Sequence, residues 1–236
     1  MDLSNKKILV VDKEAKMLHL LDEKLTLLDF KVILSTNGED ALNKFIKECP
    51  DLVILDIILP NLDGYSVCRK IRENSSVPII FLTSITTISA RIMGFKLGAD
   101  DFISKPFSIK ELNSRIRAIL RRSTNQISHL PKKKTKFYVN NLVIDTYICK
   151  VLKNNIEIKL TYTEFNLLKV LIEHPGEELS RSTLFENIWE LQPARYGDTR
   201  IVDVYISRLR SKLEEDPSNP HLIVTVRGFG YMFQKY

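Results

Sequence analysis

The sequence predicts an α/β fold, a doubly wound five-stranded parallel-sheet domain, followed by a smaller α+β domain of three helices and a β-hairpin. Three observations carry this reading. Short apolar runs alternate with amphipathic stretches up to about residue 122. A polar, lysine-rich segment then breaks the pattern, and the remainder holds three helix patterns and two strand-like pieces around a glycine turn.

The first half reads as five βα units. KKILVVD precedes EAKMLHLLDEKLTLLD, FKVILST precedes GEDALNKFIKE, and DLVILD precedes GYSVCRKIRE. VPIIFLTS and DDFISK open the last two, followed by SARIMGFKLG and SIKELNSRIRAILRR. Strands that are apolar on both sides and joined by helices form a parallel sheet covered on both faces. Residues 123–136, STNQISHLPKKKTK, are polar, contain a proline and lack periodicity, so they read as a linker. Its lysine run is a solvated tether or a contributor to DNA backbone binding.

From residue 137 to 236 short strands come first (FYVNNLVIDT, CKVLKNN, IEIKL). TYTEFNLLKVLIEHPGE then reads as a helix opened at Thr163 and stopped by His-Pro-Gly. SRSTLFENIWE is a second helix opened by Ser180, and TRIVDVYISRLRSKLEE a third. LIVTVRGFGYMF has β-branched and aromatic residues on both sides of Arg-Gly-Phe-Gly, the pattern of a hairpin. Three helices and a hairpin make a winged helix-turn-helix.

Composition agrees with two globular domains. The 236 residues are 44% hydrophobic and 27% charged, enough to bury a core. No apolar run approaches the roughly 18 residues that span a membrane, and MDLSNKK lacks the apolar stretch of a signal peptide, so a cytoplasmic location is expected. Cys49, Cys68 and Cys149 lie far apart with no CxxC pair, and read as packing thiols. The net charge is +6, yet residues 137–236 hold 12 Lys+Arg against 13 Asp+Glu. Any affinity of that half for nucleic acid must come from local placement of charge.

In open α/β sheets ligands bind at the carboxyl ends of strands. The first, third, fourth and fifth strands end in Asp12, Asp56, Thr83 and Lys105, which alternation places on one rim. An aspartate is a competent nucleophile toward phosphorus. A hydroxyl and an ammonium can hold phosphoryl oxygens, and acidic groups can hold magnesium.

Across residues 5 to 122, KILVVD, LVILDIILPNLDGY, PIIFLTS and GADDFISKPF resemble the receiver domain of a two-component response regulator. The resemblance implies that Asp56 is the phosphoacceptor, Thr83 the switch hydroxyl and Lys105 the phosphate-contacting lysine, ahead of a cis Pro106. Phe102 sits where the family commonly has a switch tyrosine, and a plain packing aromatic is the alternative. Magnesium would be held by Asp12, Asp56 and the carbonyl of Ile58.

The family normally has two adjacent acidic residues after the first strand. Here Asp12 is followed by Lys13, a change of two charge units at a position expected to touch the metal. A Lys13 ammonium at about 4 Å from Asp56 would gain up to about 4 kcal/mol at an effective dielectric of about 20, before desolvation. It would then replace part of the metal's charge, so Mg2+ binding is expected to be weakened or absent. Alternatively Lys13 swings into solvent and metal binding is merely weakened. The functional alternatives are attenuated phosphorylation gating, or action independent of phosphorylation.

Residues 88–122 hold charges of both signs at helical spacing. In regulators of the OmpR/PhoB type this face forms a symmetric dimer. By resemblance Arg91 pairs with Glu111, Asp101 with Arg115, and Asp100 with Arg122, the self-complementary pattern a homodimer needs.

TRIVDVYISRLRSKLE followed by TVRGFGY resembles OmpR/PhoB-type effector domains. That implies a recognition helix from Thr199 to Leu213 in the major groove of double-stranded DNA, carrying Arg200, Arg208 and Arg210. Tyr205 and Ser207 occupy positions where relatives carry longer polar residues. Arg227 would be the wing residue in the minor groove, with Thr225 and Tyr231 near phosphates. Val202, Val204, Ile206 and Leu209 are expected to pack inward, and Asp203 to be a structural partner.

The loop ELQPARYGD resembles the segment that meets RNA polymerase, or is a plain connection. The chain thus reads as a DNA-binding transcriptional regulator served by a sensor histidine kinase, and not as an enzyme. An α/β phosphotransferase or phosphatase with Asp56 as nucleophile is the rival from another class. It would leave the winged helix unexplained.

Overall fold

The computed structural model describes residues 3–124, 135–189 and 199–235, with the backbone alone for 122–124. The chain divides into two compact units, Met1–Asn125 and Gln126–Tyr236. The proposed linker lies almost wholly outside the described residues, which resume just before the first strand of the second unit. Among the described residues no helix is long and apolar enough to cross a membrane.

In the first unit β1 (Lys7–Val11), β2 (Lys31–Ser35), β3 (Leu52–Leu55), β4 (Ile79–Thr83) and β5 (Asp101–Ser104) form one parallel sheet. Between them run α1 (Ala15–Thr26), α2 (Gly38–Glu48), α3 (Gly64–Asn74) and α4 (Ile88–Leu97), with α5 (Ile109–Thr124) last. The order is β2-β1-β3-β4-β5, so the winding reverses at β1. Strands β3 and β4 are buried at every position, as two-sided apolar runs require. The helices start where short polar residues cap them: Asn37, Asp63 and Thr87 accept from the backbone N–H groups of Asp40, Ser66 and Ala90. At the switch point Val11 pairs with Leu55, which sets the residues that follow each strand side by side.

The second unit opens with an antiparallel sheet of β6 (Lys136–Val139), β7 (Leu142–Asp145), β8 (Lys150–Lys153) and β9 (Ile156–Glu157). Then come α6 (Tyr162–Glu173), the short β10 (Leu179–Ser180), α7 (Arg181–Trp189) and α8 (Arg200–Leu213). Strands β11 (Ile223–Val226) and β12 (Gly230–Phe233) form the wing, turning at Gly228 with φ +74°, and β10 joins the far edge of β12.

Helix α6 begins earlier than its sequence pattern indicated. Thr161, not Thr163, is the cap: it accepts from the Glu164 backbone N–H while the Glu164 carboxylate accepts from the Thr161 N–H at 2.7 Å. The reciprocal spacing of three residues selects Thr161 and leaves Thr163 buried inside the first turn.

Candidate functional site

The strand ends of the first unit bring four side chains toward one rim. Asp12 and Asp56 follow β1 and β3, Thr83 closes β4, and Lys105 follows β5. All but Lys105 are nearly sealed from solvent, at 1%, 3% and 0% exposure. The Lys105 ammonium bridges the pair, donating to Asp12 Oδ2 at 2.6 Å and Asp56 Oδ2 at 2.7 Å. Burial opposes its charge, but the hydrogen bonds to the two aspartates outweigh that and raise its pKa. Asp12 Oδ1 accepts from the Glu14 backbone N–H and Asp56 Oδ1 from that of Ile58. Thr83 Oγ1 accepts from the Ile85 N–H at 3.3 Å. Lys105 precedes Pro106 across a cis peptide, as expected.

Gly64, at the start of α3, is a site residue with no distinctive signal of that role in the sequence. A Cβ there would stand 2.1 Å from the Asp56 carbonyl oxygen, so only glycine lets α3 approach the acceptor strand this closely. The Asp-Gly pair at 63–64 signals a turn in the sequence, but nothing there shows what it packs against.

Lys13 takes the solvent-facing alternative and not the place beside Asp56. Its side chain is exposed and forms no ion pair among the described residues, while Lys105 occupies both carboxylates. An exposed ammonium keeps its hydration, which it would lose beside a pair already neutralised in part. The donor set does not fit a tightly held magnesium. All four carboxylate oxygens already accept hydrogen bonds, and the position that should add a third carboxylate is a cation.

Phe102 takes the packing alternative and not the switch and phosphate-contact role. It is buried at 5% exposure, packs 6.3 Å from the Phe81 ring and lies under the Arg91 guanidinium at 5.8 Å. A sealed ring with no polar atom packs; it does not contact phosphate.

The residues read as a dimer face pair largely within the chain. Arg115 grips Asp101 with two hydrogen bonds of 2.8 and 3.0 Å and donates to Glu111 at 2.9 Å. Asp100 is buried, bonded at 2.9 Å to Arg72, a residue not singled out in the sequence, and to the Ile79 N–H. Asp100 therefore does not present its carboxylate to a partner as expected. Arg122's side chain lies outside the described residues.

In the second unit α8 buries Ile201, Val202, Tyr205, Ile206, Leu209 and Leu213. Tyr205, expected at the DNA surface, is instead fully buried against Trp189 at 5.6 Å, because it falls on the same face as Val202 and Leu209. Val204, expected inside, is only partly buried, and Arg200, Ser207 and Ser211 are exposed. Arg208 is turned onto the buried Glu164. Arg210 donates to the Ile223 carbonyl and to Thr225 Oγ1 at 2.7 Å, tying helix to wing. Arg227 is exposed beside the wing turn.

Tyr231, expected near a phosphate, also turns inward. It is 5% exposed, and its hydroxyl donates to Asp203 Oδ1 at 2.7 Å, so it is spent inside the fold and not on a phosphate. Arg181 also bonds Asp203, and the Arg181 and Arg210 guanidinium groups lie 5.0 and 5.5 Å from the Tyr231 ring. Burial first, and then the Asp203 hydrogen bond, push the Tyr231 pKa up to about 12. The folded value lies above the unfolded one of about 10. Its stabilising contribution is therefore complete below pH 10 and lost as the pH rises through about 12. Tyr231→Phe should flatten the fall in urea stability across that window, and an unchanged slope would count against this assignment. The segment ELQPARYGD, 190–198, lies outside the described residues.

A doubly wound sheet with paired aspartates at its switch point, followed by a winged helix, is the architecture of DNA-binding response regulators. Residues 8–117 match the response regulator receiver domain family. Residues 155–233 match the family described as transcriptional regulatory protein, C terminal. A probable transcriptional regulator ycf27 of Porphyra purpurea is 48% identical over 236 residues, covering 100% of this chain and 97% of that protein. The response regulator DrrB of Thermotoga maritima, an OmpR/PhoB homologue, is 34% identical with a TM-score of 0.51, over 98% of this chain and 100% of its own. A mutant of RitR is 30% identical with a TM-score of 0.75, again over 98% of this chain and 100% of its own. The chain belongs to the OmpR/PhoB-type response regulators and is a DNA-binding transcriptional regulator.

Proposed function

We propose that Asp56 accepts a phosphoryl group from a sensor histidine kinase, and that this gates DNA binding by a cytoplasmic homodimer that meets RNA polymerase. The Lys105 bridge carries the reading. One ammonium within 2.7 Å of Asp56 is placed to follow the charge when a carboxylate oxygen of Asp56 attacks phosphorus. The Thr83 oxygen accepts from Ile85, which leaves the hydroxyl proton to turn toward a phosphoryl oxygen. Arg200, Ser207, Thr225 and Arg227 form the DNA-facing set, and Arg91, Glu111 and Arg115 the charged part of the dimer face. For the dimer to form by cross-pairing, Arg115 must exchange its own Asp101 and Glu111 for the partner's.

Lys13 favours a second reading, in which the regulator binds DNA without phosphorylation because magnesium is held weakly. Labelling with a small phosphodonor, with and without magnesium, beside genome-wide occupancy of wild type and Asp56→Ala, separates the two. The gated reading expects single-equivalent labelling lost in Asp56→Ala together with altered occupancy. Matching occupancy in both proteins would overturn it in favour of the second. Continuous turnover of a phosphate ester would instead support the phosphatase rival.

A further inference from the structure

The Arg210 guanidinium of α8 is held inside the fold. Its Nε and Nη2 atoms both donate to the Ile223 carbonyl, at 2.9 and 2.6 Å, and Nη2 also donates to Thr225 Oγ1 at 2.7 Å. It lies 5.5 Å from the centre of the buried Tyr231 ring, and Tyr231 pairs with Thr225 across the β11 and β12 strands. Carbonyl, hydroxyl and ring together fix its place.

The polarity of the bond to Thr225 is forced. A guanidinium has only donors, so the Thr225 oxygen must accept, and the hydroxyl proton must lie on the side away from Arg210. Thr225 is exposed, and among the described residues its hydroxyl donates to no protein acceptor. An oxygen that accepts from a cation is a stronger donor through its own proton, because linked hydrogen bonds polarise one another. The wing therefore presents a donor backed by a positive charge, on the strand that leads to the exposed Arg227. An anionic oxygen is the acceptor that such a donor suits best.

We propose that Arg210 is a positioning residue that acts on DNA through Thr225, orienting and polarising its hydroxyl to donate to one backbone phosphate. That contact sets the wing on the duplex and leaves base reading to other side chains. The inference rests on the reading above that places Thr225 in the DNA-facing set.

The test is a phosphate scan on the full chain. A duplex selected on the wild-type protein from a randomised library is remade with a neutral methylphosphonate at each backbone position in turn, and the affinities are compared. Wild type should lose at least about tenfold at a phosphate whose neutralisation no longer matters in Thr225→Val. Arg210→Met should lose its sensitivity at that same phosphate, whereas Thr225→Ser, which keeps the hydroxyl, should retain it. On the unmodified duplex the double variant Arg210→Met/Thr225→Val should bind within about twofold of the weaker-binding single. Arg210→Gln, which still offers an N–H to the Ile223 carbonyl, serves where Arg210→Met folds poorly, and the same phosphate should lose its effect. If the Arg210 and Thr225 variants lose different phosphates, or their losses multiply, Arg210 acts on DNA by a route of its own and the proposal is wrong. A Thr225→Val protein that keeps every sensitive phosphate would overturn it equally. A wild-type chain that selects no duplex would overturn the DNA-binding function as well, so the two failures are distinguishable.

Discussion

In a Lys13→Asp variant, magnesium should bind the receiver domain at least about tenfold more tightly than in wild type, and magnesium-dependent labelling of Asp56 should rise with it. Asp12 and Asp56 are balanced in part by Lys105, which donates to both. Lys13 adds a second cation next to Asp12, exposed and outside any ion pair among the described residues. Its replacement by aspartate changes the local charge by two units and supplies an oxygen ligand of the type magnesium prefers. Changes around a metal's ligands alone shift affinity by about 10- to 100-fold, and a restored ligand should do no less. The same substitution sets three carboxylates around one ammonium, so without magnesium the variant should unfold at lower urea than wild type, and with magnesium the order should reverse. Calorimetric titration and urea melts with and without the ion check both signs. Equal affinities in the two proteins would remove Lys13 as the cause of weak metal binding.

The parallel sheet and the winged helix were both legible in the sequence because their signals are local. Two-sided apolar runs mark β3 and β4, and the hairpin is marked by β-branched residues around Arg-Gly-Phe-Gly. The rim residues were legible too, since strand ends can be counted. What stayed hidden depends on which residues distant in sequence meet. Arg72 reaches Asp100 across 28 positions, and Lys105 reaches Asp12 across 93. Two aromatic residues of the second unit differ from expectation for another reason. The family resemblance puts Tyr205 at the DNA surface, yet its ring lies on the apolar stripe with Val202 and Leu209. The resemblance likewise puts Tyr231 near a phosphate, but its hydroxyl finds Asp203 inside the fold. An aromatic with one polar atom fits either environment, and only the partner decides.

Glu164→Ala should destabilise the effector domain by about 3 to 5 kcal/mol, more than any other single polar substitution in that unit. Glu164 is a buried side chain that joins two helices by charge as well as starting one of them. Its carboxylate closes the capping box at Thr161 and holds Arg208 and Lys212 of α8. Truncation leaves two cations facing each other with no anion, and it frees the Thr161 N–H in a buried place. Glu164→Gln keeps the cap, because an amide oxygen can still accept from Thr161, and loses only the charge pairing. It should therefore be clearly more stable than Glu164→Ala. Urea unfolding followed by the fluorescence of Trp189, which stacks on Phe185 and contacts Tyr205 of α8, reads the packing of these helices directly. If alanine and glutamine cost the same, the stability lies in the charge pairs and not in the cap; if neither costs more than about 1 kcal/mol, Glu164 is not the joint between α6 and the recognition helix.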